Sequence, residues 1–312
     1  VRTICRQVLG NFCISGSILL KYLGDESRVL VPDGITRIAE EAFAGKESID
    51  RVILPDSLTE IGSGAFRDCL LLQTILFPDN LCRIGEGAFE HCVKLLRVVL
   101  PPKLVQMEAK TFKHCSKLKE ITMGEELRAI GEQAFYGCVS LKEIHFPKGL
   151  RSIGTMAFYR CTGLREVCLS PEIHYVGNLA FAKSGVKKAR LYGNGKGYGA
   201  DMFFGCLSLK TMCLENGLRH LPDKLAYGCT ALKTVICSDS GSLVSAGKNV
   251  WENTPFLKDW INENEHVGNE KKTDREIFWD GRNLSGEVYL PKQTRIIAGG
   301  AFYGNEHLTA IH

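Results

Sequence analysis

Phenylalanine recurs along this chain at a fixed step. Phe43, Phe66, Phe89, Phe112, Phe135, Phe158 and Phe181 lie 23 residues apart, and Phe203 and Ala226 follow at 22 and 23. Other apolar columns keep the same register. One runs Ile38, Ile61, Ile84, Met107, Ile130, Ile153, Val176; a second Ile49, Leu72, Leu95, Leu118, Leu141, Leu164; a third Val52, Ile75, Val98, Ile121, Ile144, Val167. A unit this short cannot bury its own apolar face, so neighbours must stack into one continuous core with near-neighbour contacts. At 312 residues the chain is also longer than one ordinary compact core.

Within each unit the segment typified by "LKEIHFP" (141–147) alternates, with Ile144 inward, His145 outward and Phe146 inward. That predicts a short half-buried strand. Proline closes it at Pro55, Pro78, Pro101 and Pro147, where a ladder must stop. Gly62, Gly85, Gly131, Gly154 and Gly177 mark a second bend ahead of the Ala-Phe pair. Equivalent strands stack into a parallel sheet on one face, rising about 4.8 Å per coil. The fold expected is a repeat solenoid. Each 23-residue coil holds one strand plus turns, a short helix or a second short strand.

The unit reads L-x-x-I-G-x-x-A-F-x-x-C-x-x-L-x-x-I, followed by an apolar residue and proline. "LTEIGSGAFRDCLLLQTILFP" (58–78) and "LRSIGTMAFYRCTGLREVCL" (150–169) show it most clearly. It resembles the BspA-like class of bacterial leucine-rich repeat proteins. The asparagine usual in leucine-rich repeats is replaced by Ser57, Lys103, Gly149 and Glu172, with Asn80 an exception. The resemblance covers about residues 18–240 and resumes at 285–312. It implies a right-handed solenoid, a surface or secreted location and a non-enzymatic interaction role.

The pattern breaks between Ser238 and Gly286. Trp251 takes the phenylalanine position there, and "INENEHVGNEKKTDRE" (261–276) reads as an exposed loop or helix-flanked insertion. "EIFWDGRNLSGEVYLPKQTRIIAGGAF" then mirrors "SILLKYLGDESRVLVPDGITRIAEEAF", so the block restarts near residue 274. The expected divisions are an N-terminal cap or irregular first coil at 1–33, regular coils at 34–237, an insertion at 238–286 and a resumed repeat at 287–312. Two domains linked at 262–275 are the alternative. The chain begins "VRTIC" without Met or a signal peptide and ends "LTAIH" inside the pattern, which reads as a processed or trimmed chain with a truncated array.

A net charge of +4 lacks the concentrated basic surface of a dedicated nucleic-acid binder. No apolar run approaches the roughly 18 residues that span a bilayer. Thirteen cysteines invite a chemical reading. Cys69, Cys92, Cys115, Cys138, Cys161, Cys206 and Cys229 form one column, which the Ala182–Val186 unit omits through a deletion. Repetition in equivalent places argues for small buried hydrophobes rather than a nucleophile. Cysteine usage fits a setting where unpaired thiols persist. No C-x-x-C pair supports zinc. His91-Cys92 and His114-Cys115 lie one coil apart, but adjacent residues diverge, and the position before cysteine reads as solvated. "GNGKGYG" (193–199) lacks the phosphate-loop order and reads as a flexible connection. No cofactor or metal is implied.

The outward strand positions point to a partner. One column runs Arg51, Thr74, Arg97, Glu120, Glu143, Glu166, Lys188, Thr211, Thr234. The next runs Ile53, Leu76, Val99, Thr122, His145, Cys168, Arg190, Cys213, Ile236. Alternation turns Ile53, Leu76 and Val99 away from the core. They form either an exposed patch flanked by Arg51 and Arg97, or residues chosen by strand propensity or covered by a loop. Arg51, Ile53, Leu76, Arg97, Val99, Glu120, Glu143, His145 and Glu166 are the candidate contacts for a protein or glycoprotein ligand. Lys187, Lys188, Arg190 and Lys210 cluster as a face for an acidic partner or, the preferred reading, as a solvated basic face. A structural stalk is the alternative role, and a metal- or thiol-dependent activity within 238–290 a further one.

Overall fold

The computed structural model describes residues 7–238 and 243–264 and, beyond them, 277–278, 286–288, 290, 294, 296–302 and 305–311. The chain divides into two compact units, Val1–Glu166 and Val167–His312. Each is a parallel-strand β-solenoid with two ladders.

In the first unit, three-residue strands at Arg28–Leu30, Arg51–Ile53, Thr74–Leu76, Arg97–Val99 and Glu120–Thr122 form one five-stranded sheet. Pairing is in register along the repeat, with Val29 opposite Val52, Val52 opposite Ile75 and Val98 opposite Ile121. A second ladder of two-residue strands includes Arg37–Ile38, Glu60–Ile61 and Arg83–Ile84. It is the second short strand allowed by the repeat. An antiparallel hairpin, Gln7–Leu9 with Phe12–Ser15, precedes Ile18–Tyr22, which pairs in parallel with Arg37–Ile38.

The phenylalanine column is the core. Phe43, Phe66, Phe89, Phe112, Phe135 and Phe158 are fully buried, with successive rings stacked 4.8–5.7 Å apart. Tyr22 continues the stack at 5.1 Å from Phe43. Burying one such side chain contributes about 1.5–3 kcal/mol, so the column carries a large share of the core.

The glycine column serves close packing rather than an unusual backbone angle. A Cβ on Gly131 would lie 2.6 Å from the Ala109 nitrogen, and one on Gly85 would lie 2.5 Å from that of Ser63. The bends lie elsewhere. Two left-handed positions recur in each coil, as at Gln133 and Gly137, or at Met156 and Arg160.

In the second unit Lys188–Leu191, Thr211–Leu214 and Thr234–Cys237 pair in parallel. Phe181 and Phe203 stack at 5.4 Å, and Trp251 is buried in the phenylalanine position against Phe256. Helix α1, Pro255–Asn264, begins with Thr254 as its cap: the Leu257 N–H donates to Thr254 Oγ1 at 3.2 Å, and proline stands first in the helix. Residues 265–276, and so the restart expected near 274, lie outside the described residues. Further on, Gly299 donates to the Ala246 carbonyl and forms a parallel bridge with Lys248.

Three expectations need correction. First, Glu143–His145 forms no strand. Burial still alternates, with Ile144 inside and His145 out, but the N–H groups of residues 143–146 find no backbone partner among the described residues. The pattern chose the facing of these side chains; the ladder also needs the neighbouring coil within reach. Second, the coil after Cys161 deletes nothing at the cysteine position. Buried Ser184 stands three residues after Phe181, the position that Cys161 and Cys206 hold in the coils before and after it. Third, "GNGKGYG" is tightly packed. Cβ atoms on Gly195 and Gly197 would lie 2.1 and 2.0 Å from the carbonyl oxygens of His220 and His174. Tyr198 is buried and donates to the Tyr192 carbonyl at 2.6 Å.

Candidate partner-binding face

Each strand of the five-stranded sheet has the burial pattern exposed, buried, exposed. The central residue enters the core and its two neighbours face solvent, as period-two geometry requires. The outer residue of the pair is apolar on four consecutive strands: Leu30 is 67% exposed, Ile53 52%, Leu76 78% and Val99 53%. Arg51, Val52, Ile53, Leu54, Thr74 and Leu76 line a shallow hollow of about 350 Å³.

A row of charge lies beside the apolar row. Arg28 and Arg51 are direct partners across adjacent strands, and neither side chain makes an ion pair or hydrogen bond among the described residues. Like charges directly opposite are unfavourable. Arg97, two strands on, bonds Glu120 at 2.6 Å.

The structure thus brings Arg51, Ile53, Leu76, Arg97, Val99 and Glu120 onto one sheet. It places Glu143 and His145 off that ladder, both highly exposed, with a 3.9 Å approach between His145 Nε2 and the Glu143 carboxylate. They border a hollow of about 360 Å³ with Lys119, Glu120 and Lys142. Glu166 is exposed where the first unit ends. Leu30 was missed by sequence reasoning, although "RVLVP" (28–32) echoes "RVILP" (51–55) and carries the signal.

The thiols follow a different logic. Cys69, Cys92, Cys115, Cys138 and Cys161 are fully buried, and each donates to the carbonyl of the phenylalanine one coil earlier at 3.1–3.2 Å. Burial pushes Cys69 and Cys161 up to about 12 and holds Cys92, Cys115 and Cys138 well above the ordinary thiol range. A thiol held protonated and out of reach is a poor nucleophile. Cys13 departs from the expectation of unpaired thiols, being disulfide-bonded, while eleven others stand outside any disulfide.

His91 and His114 have ring centroids 5.0 Å apart, and His91 Nδ1 is 2.9 Å from Asp68 Oδ1. Burial, together with His91 and Lys113, lowers the His114 pKa. Cys92 and Cys115 point into the core instead of joining them. Among the described residues no group of three or more potential ligands could hold a metal, and no helix is long and apolar enough to cross a membrane.

The sequence model of the BspA type leucine rich repeat region (6 copies) matches residues 25–138, 84–197, 128–258 and 162–284. A leucine-rich repeat protein from Bacteroides ovatus is similar in fold, with a TM-score of 0.60 at 21% identity over 94% of this chain and 81% of that one. A leucine rich cell surface protein from Faecalibacterium prausnitzii gives a TM-score of 0.47 at 20% identity over 76% of this chain and 95% of that one. No curated protein matches the sequence.

Proposed function

Since the chain belongs to the BspA type leucine-rich repeat family, we propose that it is a non-catalytic binding scaffold, taking a protein or glycoprotein ligand on the strand face of its first unit. The observation that carries this reading is the row Leu30, Ile53, Leu76 and Val99, each more than half exposed. An apolar strip rimmed by charge is the composition of an interface core with its polar rim. Arg51 and Arg97 flank the strip, and Glu120, Glu143, His145 and Glu166 extend the contact surface. A surface or secreted location agrees with the family resemblance and with a ligand met outside the cell. In the same reading residues 1–33 cap the array, 34–237 are its regular coils, 238–286 an insertion and 287–312 a resumed repeat; the bond from Gly299 to Ala246 favours continuation across the insertion.

The test is capture by cross-linking. The full chain and its Ile53→Lys and Leu76→Lys variants are incubated with host and bacterial surface fractions, and thermal unfolding is measured in parallel. Both variants should lose the captured ligand while melting like the parent. Undiminished capture by both would show that the face is not the site.

A further inference from the structure

The strand face of the second unit differs in kind from that of the first. Lys188 stands opposite Thr211, and Thr211 opposite Thr234. One position earlier the lysines run in the same ladder. The Lys187 carbonyl accepts from Lys210 N–H at 2.9 Å, and that of Lys210 from Lys233 N–H at 3.2 Å. Lys187, Lys210 and Lys233 are all exposed. Successive coils rise about 4.8 Å, so the backbones of these exposed lysines stand in a column. Each of the three immediately precedes a strand, and Lys188 and Arg190 on the first strand bring the number of cations here to five.

Little on this face balances them. The segments 187–191, 210–214 and 233–237 contain no acid. Glu215, just beyond, accepts from Ser238 and lies 3.9 Å from Arg190. The side chains of the four lysines make no ion pair or hydrogen bond among the described residues. The equivalent column in the first unit, Lys119, Lys142 and Arg165, differs because each is followed by glutamate.

The chemistry of the face narrows its ligand. Lysine is depleted in protein interfaces, and Ile236 is the one large apolar side chain exposed on these strands among the described residues. Single-stranded nucleic acid is held by stacking on aromatic side chains, and the three segments have none. Lysine acts as a point charge without the fork geometry that arginine offers a carboxylate. We propose that this face binds a sulfated linear polysaccharide through Lys187, Lys188, Lys210 and Lys233, with Arg190 at its edge. The bound polymer releases counterions, so affinity falls steeply with salt. This site is independent of the apolar row in the first unit.

Dextran sulfate titrated into the full chain at several salt concentrations provides the test. The K187S/K210S/K233S variant changes only exposed side chains. It should bind about tenfold or more weakly at moderate salt, with the slope of log K against log salt smaller by about two. K119S/K142S/R165S and Leu76→Lys should bind as the parent does, which separates this site from the protein-binding face. Parental affinity and slope in the first variant would overturn the proposal. Tighter binding of polyglutamate with the same lysine dependence would reassign the face to acidic peptides. Tighter binding of long-chain polyphosphate would reassign it to phosphate polymers.

Discussion

The Cys138 thiol donates to the carbonyl oxygen of Phe112, 3.1 Å away in the preceding coil. That oxygen also accepts the Cys115 N–H, so one carbonyl ties a turn to the coil stacked above it. Because the contact repeats, the cysteine column is a line of buried donors whose protons belong to the fold.

Alkaline pH should therefore unfold the protein sharply. An unfolded thiol titrates near 8.5, whereas Cys69 and Cys161 hold their protons up to about 12 and the three thiols between them also titrate high. The stabilisation is complete below about pH 8.5 and is lost as pH rises toward 12, because the unfolded chain releases protons that the folded one retains. Each thiol contributes a slope of about 1.4 kcal/mol per pH unit, and five together roughly 7. Urea unfolding followed between pH 7 and 11 measures it. Stability unchanged to pH 11 contradicts the account, and Cys115→Ser should flatten the slope.

Thiol labelling should separate two classes. Outside any disulfide, Cys82 and Cys168 are exposed and the repeat column is buried. A brief maleimide pulse on the native protein, read by peptide mass spectrometry, should modify Cys82 and Cys168 first. The column should react only after denaturation. Rapid native labelling of Cys115 or Cys138 would refute the packing described.

Two glycines should respond differently to alanine. At Gly131 the new methyl group meets backbone of the preceding coil at 2.6 Å, so the coils must part at a cost of about 1–3 kcal/mol or more. At Gly64, with φ of 57° and no atom closer than 3.5 Å, only the left-handed backbone is penalised, by about 1–2 kcal/mol. Chemical denaturation of the pair checks the order. Equal losses would mean that the glycine column is not set by stacking.

Arg28 and Arg51 should show opposed effects on stability and binding. Arg28→Glu places opposite charges across the strand pair, which should raise stability by roughly a few tenths of a kcal/mol, as exposed pairs do. If the face receives an acidic rim, the same change weakens capture of the ligand. A variant that is less stable and binds unchanged would contradict both halves.

The 23-residue step made the core legible, because a buried column tolerates few residue types and repeats visibly. Period-two alternation likewise exposed Ile53, Leu76 and Val99. Leu30 escaped because the column was started one coil late, and Ser184 because serine in a cysteine column looks like a gap. The missing strand at Glu143–His145 was beyond pattern reading: side-chain alternation is local, whereas a ladder depends on how closely another coil approaches. The two histidines show the same limit. The position before cysteine, Asp68, Gly137 or Arg160 in other coils, reads as solvated, yet the two rings approach within contact and His114 is partly desolvated.

The bond from each cysteine to the previous coil's phenylalanine also bears on how such an array can change over generations. Most coils offer their successor the same carbonyl and the same ring face, and several the same glycine gap. An unequal crossover between the coding sequences of two coils would then remove or add whole coils while leaving each junction chemically familiar. Length can drift by duplication, while the residues facing outward diverge coil by coil.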